Sequence, residues 1–174
     1  MTLEDVKRKG MVSELVGRLS KAEDDLRKLL IKSPALPGAR VYGNANQSIP
    51  DNTNTALIFT TQVYDQAEFW DAGAPTRFTI SIPGVYNIQG SVSFAANGAG
   101  TRGISVRLNN LTYLAWSLIP STSTTVQFQF QISTNYQLVV GDYVEIVVWQ
   151  NSTGALNSVA GGVNTPLGII QRMS

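Results

Sequence analysis

Residues 77–94 read Arg-Phe-Thr-Ile-Ser-Ile-Pro-Gly-Val-Tyr-Asn-Ile-Gln-Gly-Ser-Val-Ser-Phe and carry a clear β-pattern. Apolar residues alternate with polar ones on both sides of the Pro83-Gly84 dipeptide. This alternation predicts two half-buried strands joined by a tight turn, at the centre of a β-sandwich.

The chain from residue 39 to residue 174 has the same strand-and-turn character throughout. Besides the two strands above, the pattern predicts strands at residues 39–42, 55–61, 66–70, 103–108, 112–118, 124–133, 143–150 and 167–172. Asn109-Asn110 predicts a tight turn, because asparagine tolerates the positive φ that such turns need. Ten strands with turn signals between them favour an all-β jelly-roll sandwich over a helical or α/β fold.

Residues 1–32 differ from the rest and predict an α-helix. Thr2 and Asp5 form a capping pair, and no proline follows before residue 34. Apolar residues then recur at alternating spacings of three and four, which is a heptad seam of about three repeats. The seam consists of Val12, Leu15, Leu19, Ala22, Leu26 and Leu29.

This seam predicts a short trimeric coiled-coil stalk, because Val16 and Leu30 widen the apolar stripe beyond that of a two-stranded coil. The alternative is an amphipathic helix that packs against its own domain. A membrane-surface helix fits less well, since acidic residues are interspersed with basic ones. The Pro/Gly-containing segment 33–38 predicts a linker, which places the head at residues 39–174.

The strand at residues 143–149, Tyr-Val-Glu-Ile-Val-Val-Trp, is apolar on both parities. A strand buried on both faces has to contact something beyond its partner sheet. We therefore expect Tyr143, Val147 and Trp149 to lie at a contact with a neighbouring subunit.

Composition excludes several classes of chemistry. The sequence has no Cys and no His, so Ser-His-Asp and Cys-His catalysis are excluded, and no disulfide forms. Charged residues make up 14% of the chain, against a usual value of about 25%, which suits a polar, weakly charged extracellular or virion surface. Residues 41–174 hold four basic and six acidic side chains, which disfavours nucleic-acid binding. No apolar run approaches the roughly 20 residues that span a bilayer.

Several blocks occur together in the order found in one family. These are Phe78-Thr-Ile with Gly84 and Tyr86, Trp70 to Thr76, Gly100-Thr-Arg, and Gly141-Asp-Tyr-Val-Glu leading to Trp149-Gln-Asn-Ser. Over residues 39–172 the chain thereby resembles the jelly-roll heads of complement component one, subcomponent q, and the tumour-necrosis-factor-like domains, in a bacteriophage or bacterial variant. The resemblance implies a trimer around a threefold axis that binds ligands rather than catalysing reactions. Some members hold calcium, but no acidic loop here matches theirs.

Three features are candidate sites with a plain structural alternative. Asp65, Glu68 and Asp71 form an acidic cluster that suits a hard cation or a glycosidase pair, although their spacing matches no calcium loop and a solvated loop explains them. Residues 98–103 fit Gly-x-Gly-x-x-Gly, but strands are predicted on both sides, so we interpret them as a hairpin loop rather than a dinucleotide site.

The third feature is a set of aromatic residues that suit a carbohydrate platform, and core packing is their alternative. The set consists of Trp70, Tyr113 and Trp116.

Together these patterns predict a trimeric fibre-head or adhesion protein of a virion, most naturally a bacteriophage. The segment 1–11 lacks the apolar core of a secretory signal, so we expect it to anchor the protein on a capsid or tail. The head is then displayed on the virion surface, where it binds a host-surface glycan or protein. The alternatives are a capsid decoration protein without a ligand and, less favoured, a polysaccharide depolymerase. We expect no cofactor and no metal.

Overall fold

A computed structural model describes residues 2–31 and 36–174 of the chain. The chain divides into two compact units, residues 1–35 and residues 36–174. Within the described residues, no helix is long and apolar enough to span a membrane.

The first unit is helix α1, Leu3–Ile31. Its start follows from the predicted capping pair: the Thr2 hydroxyl accepts the Asp5 amide at 3.3 Å, and Asp5 Oδ2 accepts the Thr2 amide at 2.9 Å. The Thr2 hydroxyl also donates to Asp5 Oδ2, at 2.8 Å, and the two bonds that the carboxylate accepts, from the Thr2 amide first and the Thr2 hydroxyl second, lower the pKa of the Asp5 carboxyl. The capping pair is therefore confirmed.

The second unit is a β-sandwich of twelve strands. They are β1 Gly38–Tyr42, β2 Ser48–Ile49, β3 Thr55–Ala56, β4 Thr61–Asp65, β5 Arg77–Thr79, β6 Gly84–Phe94, β7 Thr101–Leu108, β8 Thr112–Pro120, β9 Phe128–Leu138, β10 Tyr143–Gln150, β11 Leu156–Asn157 and β12 Leu167–Arg172. Sheet I has the order β4-β1-β12-β6-β9, and sheet II has the order β3-β10-β7-β8 with β5 also paired to β10. β2 and β11 form a separate two-stranded ribbon. All these pairings are antiparallel, which confirms the predicted all-β sandwich.

The core lies between the two sheets and is built from the inward parity of each strand. Sheet I contributes Val41, Tyr86, Ile88, Val92 and Ile170, and sheet II contributes Ile104, Val106, Val144, Ile146 and Val148. Every one of these side chains is at most 1% exposed, so the alternation read from the sequence separates core from surface.

The long stretch at residues 77–94 is not a simple hairpin. β5 pairs with β10 in sheet II, whereas β6 pairs with β9 and β12 in sheet I. The Pro83-Gly84 break therefore carries the chain from one sheet to the other. This crossing explains why the stretch is central: each half contributes to a different layer of the sandwich.

The predicted strand at residues 66–70 is wrong, and its neighbour at 55–61 is shorter than predicted. Asp65 accepts the backbone amides of Ala67, Phe69 and Trp70 at 3.3, 3.0 and 2.8 Å, which winds the segment into a loop. Glu68 in that loop has a φ of 55°. The hydrogen bonds that these three amides donate to Asp65 take the place of the interstrand bonds that a strand would make.

The turn prediction at Asn109-Asn110 is confirmed. Both residues are left-handed, with φ of 52° and 58°, and they join β7 to β8. The Asn109 side chain also donates to Asp142 Oδ1 at 2.8 Å and accepts the Tyr143 amide at 2.9 Å. These bonds fix the hairpin to the turn that precedes β10.

Candidate functional site

A groove of about 490 Å³ lies on the face of sheet II that points away from the core. Its floor is the middle strand β7, which contributes Gly103 and Ser105. A Cβ at Gly103 would collide with Leu118 Cδ2, so the end of the partly exposed Leu118 side chain covers Gly103 and would have to shift to admit a larger residue or a ligand at this position.

The walls of the groove come from the two strands that flank β7. On β10, Trp149 pairs with Gly103 and Val147 pairs with Ser105. On β8, Leu118 and Trp116 pair with the same two floor residues. The groove is completed by Asn54, Ile104 and Tyr113. Small residues on the central strand between larger ones on both neighbours therefore create the concavity.

Three of the wall residues are unusually accessible for apolar side chains. Trp116 is 73% exposed, Tyr113 is 46% exposed and Leu118 is 43% exposed. Trp149 is half-buried. Exposed aromatic groups clustered in a concave site are typical of ligand-binding surfaces.

The polar groups of the groove are few and neutral. The Ser105 hydroxyl donates to the Val147 carbonyl at 3.1 Å, which leaves its oxygen lone pairs as acceptors. The Asn54 side chain is exposed and makes no hydrogen bond within the described residues. Its amide can therefore both donate to a ligand and accept from one.

The charged side chains on this face lie beside the groove, at the next outward-facing positions along β7 and β10. Arg107, which pairs with Tyr113, donates to Glu145 Oε2 from Nη2 at 2.8 Å and from Nε at 3.2 Å. Thr76 also donates to Glu145, at 3.4 Å. Arg77 lies 4.9 Å above the Tyr143 ring, and its buried Nε has no hydrogen-bond partner. The groove itself has no acidic or basic side chain among its lining residues.

The three residues predicted at a subunit contact lie together on the outer face of β10. Val147 is completely buried within the single chain, so its burial does not by itself indicate a neighbouring subunit, and its place at a subunit contact stays a prediction. Tyr143 and Trp149 remain half-buried, and their role in a subunit contact stays a prediction.

The residues predicted to form the helical seam lie on α1. Val12, Leu15, Leu19 and Leu26 are 57, 53, 59 and 58% exposed, and Ala22 is also exposed. The side chain of Leu29 lies outside the described residues. An exposed stripe of this length is unusual for a solvated helix, but pairing of the seam with other chains stays a prediction.

The acidic cluster has a structural role. Asp65 is occupied by three backbone amides, and Asp71 accepts the Gly73 amide at 2.8 Å. Among the described side chains, no group of three or more metal-ligating residues comes together. The solvated-loop interpretation therefore accounts for these residues.

The remaining candidates are the glycine motif at residues 98–103 and the three aromatic residues of the predicted carbohydrate platform. Residues 98–103 lead from a loop directly into β7, so no helix follows the glycines and they do not form a dinucleotide site. The predicted hairpin is wrong, because this loop joins β6 of sheet I to β7 of sheet II and the two strands do not pair. Trp70 packs against the core, and its indole N–H donates to the Pro75 carbonyl at 3.3 Å. Of the predicted aromatic platform, Tyr113 and Trp116 do share one site, and Trp70 is not part of it.

Sequence reasoning missed Asn54, Ser105 and Leu118, and assigned Trp149 to a subunit contact instead. A partial signal was present, because residues 103 and 105 are small and share one parity of a predicted strand. Their juxtaposition with Trp116 and Trp149 depends on strand order and register, which the sequence pattern does not specify.

Comparisons with known proteins identify the fold. The globular domain of zebrafish complement 1qA matches with a TM-score of 0.55 at 14% identity, covering 76% of this chain and 94% of that domain. Murine APRIL, in a crystal structure at pH 5.0, matches with a TM-score of 0.61 at 14% identity, covering 78% and 98%. The Eiger TNF of S. frugiperda matches with a TM-score of 0.60 at 12% identity, covering 80% and 94%.

These likenesses confirm that the head has the jelly-roll fold of complement-1q and TNF domains. Searches against protein-family models and against curated proteins found no match.

Proposed function

We propose that this chain is a trimeric fibre-head or adhesion protein of a virion, most naturally a bacteriophage, whose head binds a host-surface glycan or protein. The observation that carries the proposal is the groove on sheet II. Trp116 is 73% exposed there, beside Tyr113 and Leu118 over a glycine-serine floor. Large exposed aromatic groups cost solubility, so their concentration in one recess points to a binding role.

The trimer is supported by the exposed seam of α1 and by the resemblance of the head motifs to trimeric jelly rolls. Four large aliphatic side chains are each more than half exposed on one helix and follow one another at spacings of three, four and seven residues: Val12, Leu15, Leu19 and Leu26. Association of three helices removes such a stripe from water. The segment before Val12 is then available to anchor the protein to a capsid or tail.

A binding role is favoured over catalysis by the use made of the acidic residues in the head. Asp65, Asp71 and Glu145 accept the bonds described above, and Asp142 accepts from Asn109 and from the Val139 amide at 2.9 Å. Asp51 accepts the Thr153 amide at 3.0 Å. None of the six carboxylates lines the groove. A glycosidase pair would therefore include at least one carboxylate that is held in these structural bonds.

A glycan array probed with the full-length protein, alongside sedimentation with purified capsids and tails, tests the proposal. Reproducible array hits support adhesion to host glycans. A blank array with tight capsid binding instead indicates a decoration protein. Loss of viscosity of a host capsule on incubation with the protein would identify a depolymerase and contradict the binding role.

A further inference from the structure

We infer that the groove on sheet II binds an uncharged sugar unit of a host polysaccharide, with the pyranose ring against Trp116 and Trp149. This inference rests on the proposed binding role of the head and assigns both the site and the class of ligand. It takes Trp149 as accessible in the assembled protein and so replaces the prediction that Trp149 lies at a subunit contact.

The size and shape of the groove fit a small ring rather than a flat protein surface. Its volume of about 490 Å³ lies within the roughly 300–1,000 Å³ of small-molecule sites. The flanking strands β8 and β10 are two interstrand spacings apart, or about 10 Å, which leaves a ring-sized trough over β7. A protein partner of ordinary affinity needs about 800 Å² of surface per side, which a recess of this size does not provide alone.

The aromatic walls match the chemistry of a sugar face. A pyranose presents several C–H groups on one side, and their slight positive charge is attracted to the negative face of an aromatic ring. Trp116 on β8 lies beside Ser105, and Trp149 on β10 lies beside Gly103. The two indoles are therefore on opposite walls and are offset by two residues along β7. A ring placed on the floor therefore has an indole on each side.

The polar groups match hydroxyls rather than charged substituents. Asn54 offers a donor and an acceptor, and the Ser105 oxygen offers an acceptor within the floor. Sugar hydroxyls both donate and accept, so they can use all of these groups.

Charge argues against anionic glycans. No lining residue is basic. Beside the groove, Arg107 is paired with Glu145, and Arg77 stacks on the Tyr143 ring with its Nε buried. A sulfate or carboxylate on the sugar would lose its hydration without gaining a counter-charge. Residues 39–174 hold five basic and six acidic side chains, so the head has no excess of positive charge to attract an anionic polysaccharide.

The test compares matched glycans and matched variants of the full-length protein. The probes are lacto-N-tetraose, maltotetraose, cellotetraose and mannotetraose on an array with sialylated and sulfated counterparts, followed by saturation-transfer NMR for those that bind. Trp116→Ala should weaken binding at least tenfold, whereas Trp116→Tyr should retain part of it. Asn54→Ala should weaken binding by a smaller factor. Tyr136→Ala, an exposed aromatic on β9 that does not line the groove, is the control and should bind like the wild type.

Binding to neutral probes with loss in Trp116→Ala supports the inference. Hits confined to anionic glycans, or neutral hits that survive Trp116→Ala, overturn it while leaving adhesion in place. An array without hits overturns both the inference and glycan adhesion.

Discussion

At the scale of single residues, Arg102 is the most unusual group in the head. It is 1% exposed, and burial lowers the pKa of its guanidinium. Its Nη1 donates to the carbonyls of Ala99 and Thr101 at 2.8 and 3.2 Å, and Nη2 donates to that of Asn97 at 3.1 Å. Carbonyl dipoles thus replace water around the cation and fix the loop before β7.

Replacement of this arginine should therefore destabilise the fold, because the carbonyls of the loop would lose their hydrogen-bond donor. We predict that Arg102→Met lowers the free energy of unfolding by about 3 kcal/mol, because each buried acceptor left without a donor costs about 1–3 kcal/mol. Arg40→Met, on the exposed face of β1, should change it by less than about 0.5 kcal/mol. Urea denaturation at one fixed protein concentration measures both. Equal effects of the two substitutions would contradict a structural role for Arg102.

Tyr86 gives a pH-dependent prediction. Its ring is completely buried, and its hydroxyl donates to the Ile82 carbonyl at 2.5 Å. Burial raises the pKa of the Tyr86 hydroxyl, and Arg172 partly opposes that rise. The folded state therefore holds the phenolic proton more tightly than the unfolded state does.

The stabilisation linked to this proton is fully present below about pH 10, the pKa of an unfolded tyrosine, and is lost as pH rises through the higher folded value. We predict that the wild type loses stability above about pH 10 and that Tyr86→Phe flattens this decline. At neutral pH the substitution should cost about 1 kcal/mol through the lost hydrogen bond. Thermal melts from pH 7 to pH 11 measure the effect. Parallel profiles for the two proteins would show that Tyr86 does not contribute.

At the scale of elements, the contact between the two sheets depends on a glycine within β6. A Cβ placed on Gly90 would lie 2.7–2.9 Å from three side-chain atoms of Ile146 on β10. The isoleucine therefore occupies the space that a side chain at position 90 would need.

The energetic coupling between Gly90 and Ile146 can be measured by a double-mutant cycle. Gly90→Ala should cost about 1–3 kcal/mol through overpacking, and Ile146→Ala about 2–5 kcal/mol through a cavity. The double variant should lose at least about 0.5 kcal/mol less than the sum, because the new methyl group enters the vacated space. Leu138→Ala is the control partner, since Leu138 pairs with Gly84, about 20 Å along β6 from Gly90. If the losses of unfolding free energy are additive for Gly90 with Ile146 as well as for Gly90 with Leu138, the coupling between Gly90 and Ile146 is contradicted.

The extent to which these elements could be predicted follows from the range of the interactions that form them. Local signals succeeded: the alternation in β6, the Asn109-Asn110 turn and the Thr2-Asp5 cap all depend on neighbours within a few residues. The segment after Asp65 failed because one carboxylate gathers three amides, which propensity does not reveal. The groove could be predicted only in part, since Trp149 reaches Gly103 through a pairing that spans more than forty residues.

At the scale of the whole molecule, we propose that the exposed stripe of α1 drives association between chains. The seam residues described there are more than half exposed in one chain, and burying an aliphatic side chain is worth about 1.5–3 kcal/mol. A three-stranded coil hides the stripe from water, so we expect a mass of about 56 kDa, three chains of 18.8 kDa, by light scattering.

Paired charge substitutions separate the seam from the rest of the helix surface. Leu15→Lys with Leu19→Lys places two positive charges per chain in the seam, and the measured mass should fall toward that of one chain if the helix drives assembly. Ser13→Lys with Ser20→Lys adds the same charge on the outer face of the helix and should leave the trimer intact.

A shortened chain beginning at Ala39 shows whether the head assembles without the helix. If that chain and the Leu15/Leu19 variant both remain trimers, the head assembles by itself and the helix serves as an anchor. If the unmodified full chain is a monomer at micromolar concentration, the stalk hypothesis is wrong, because the exposed stripe then has no second or third copy to cover it.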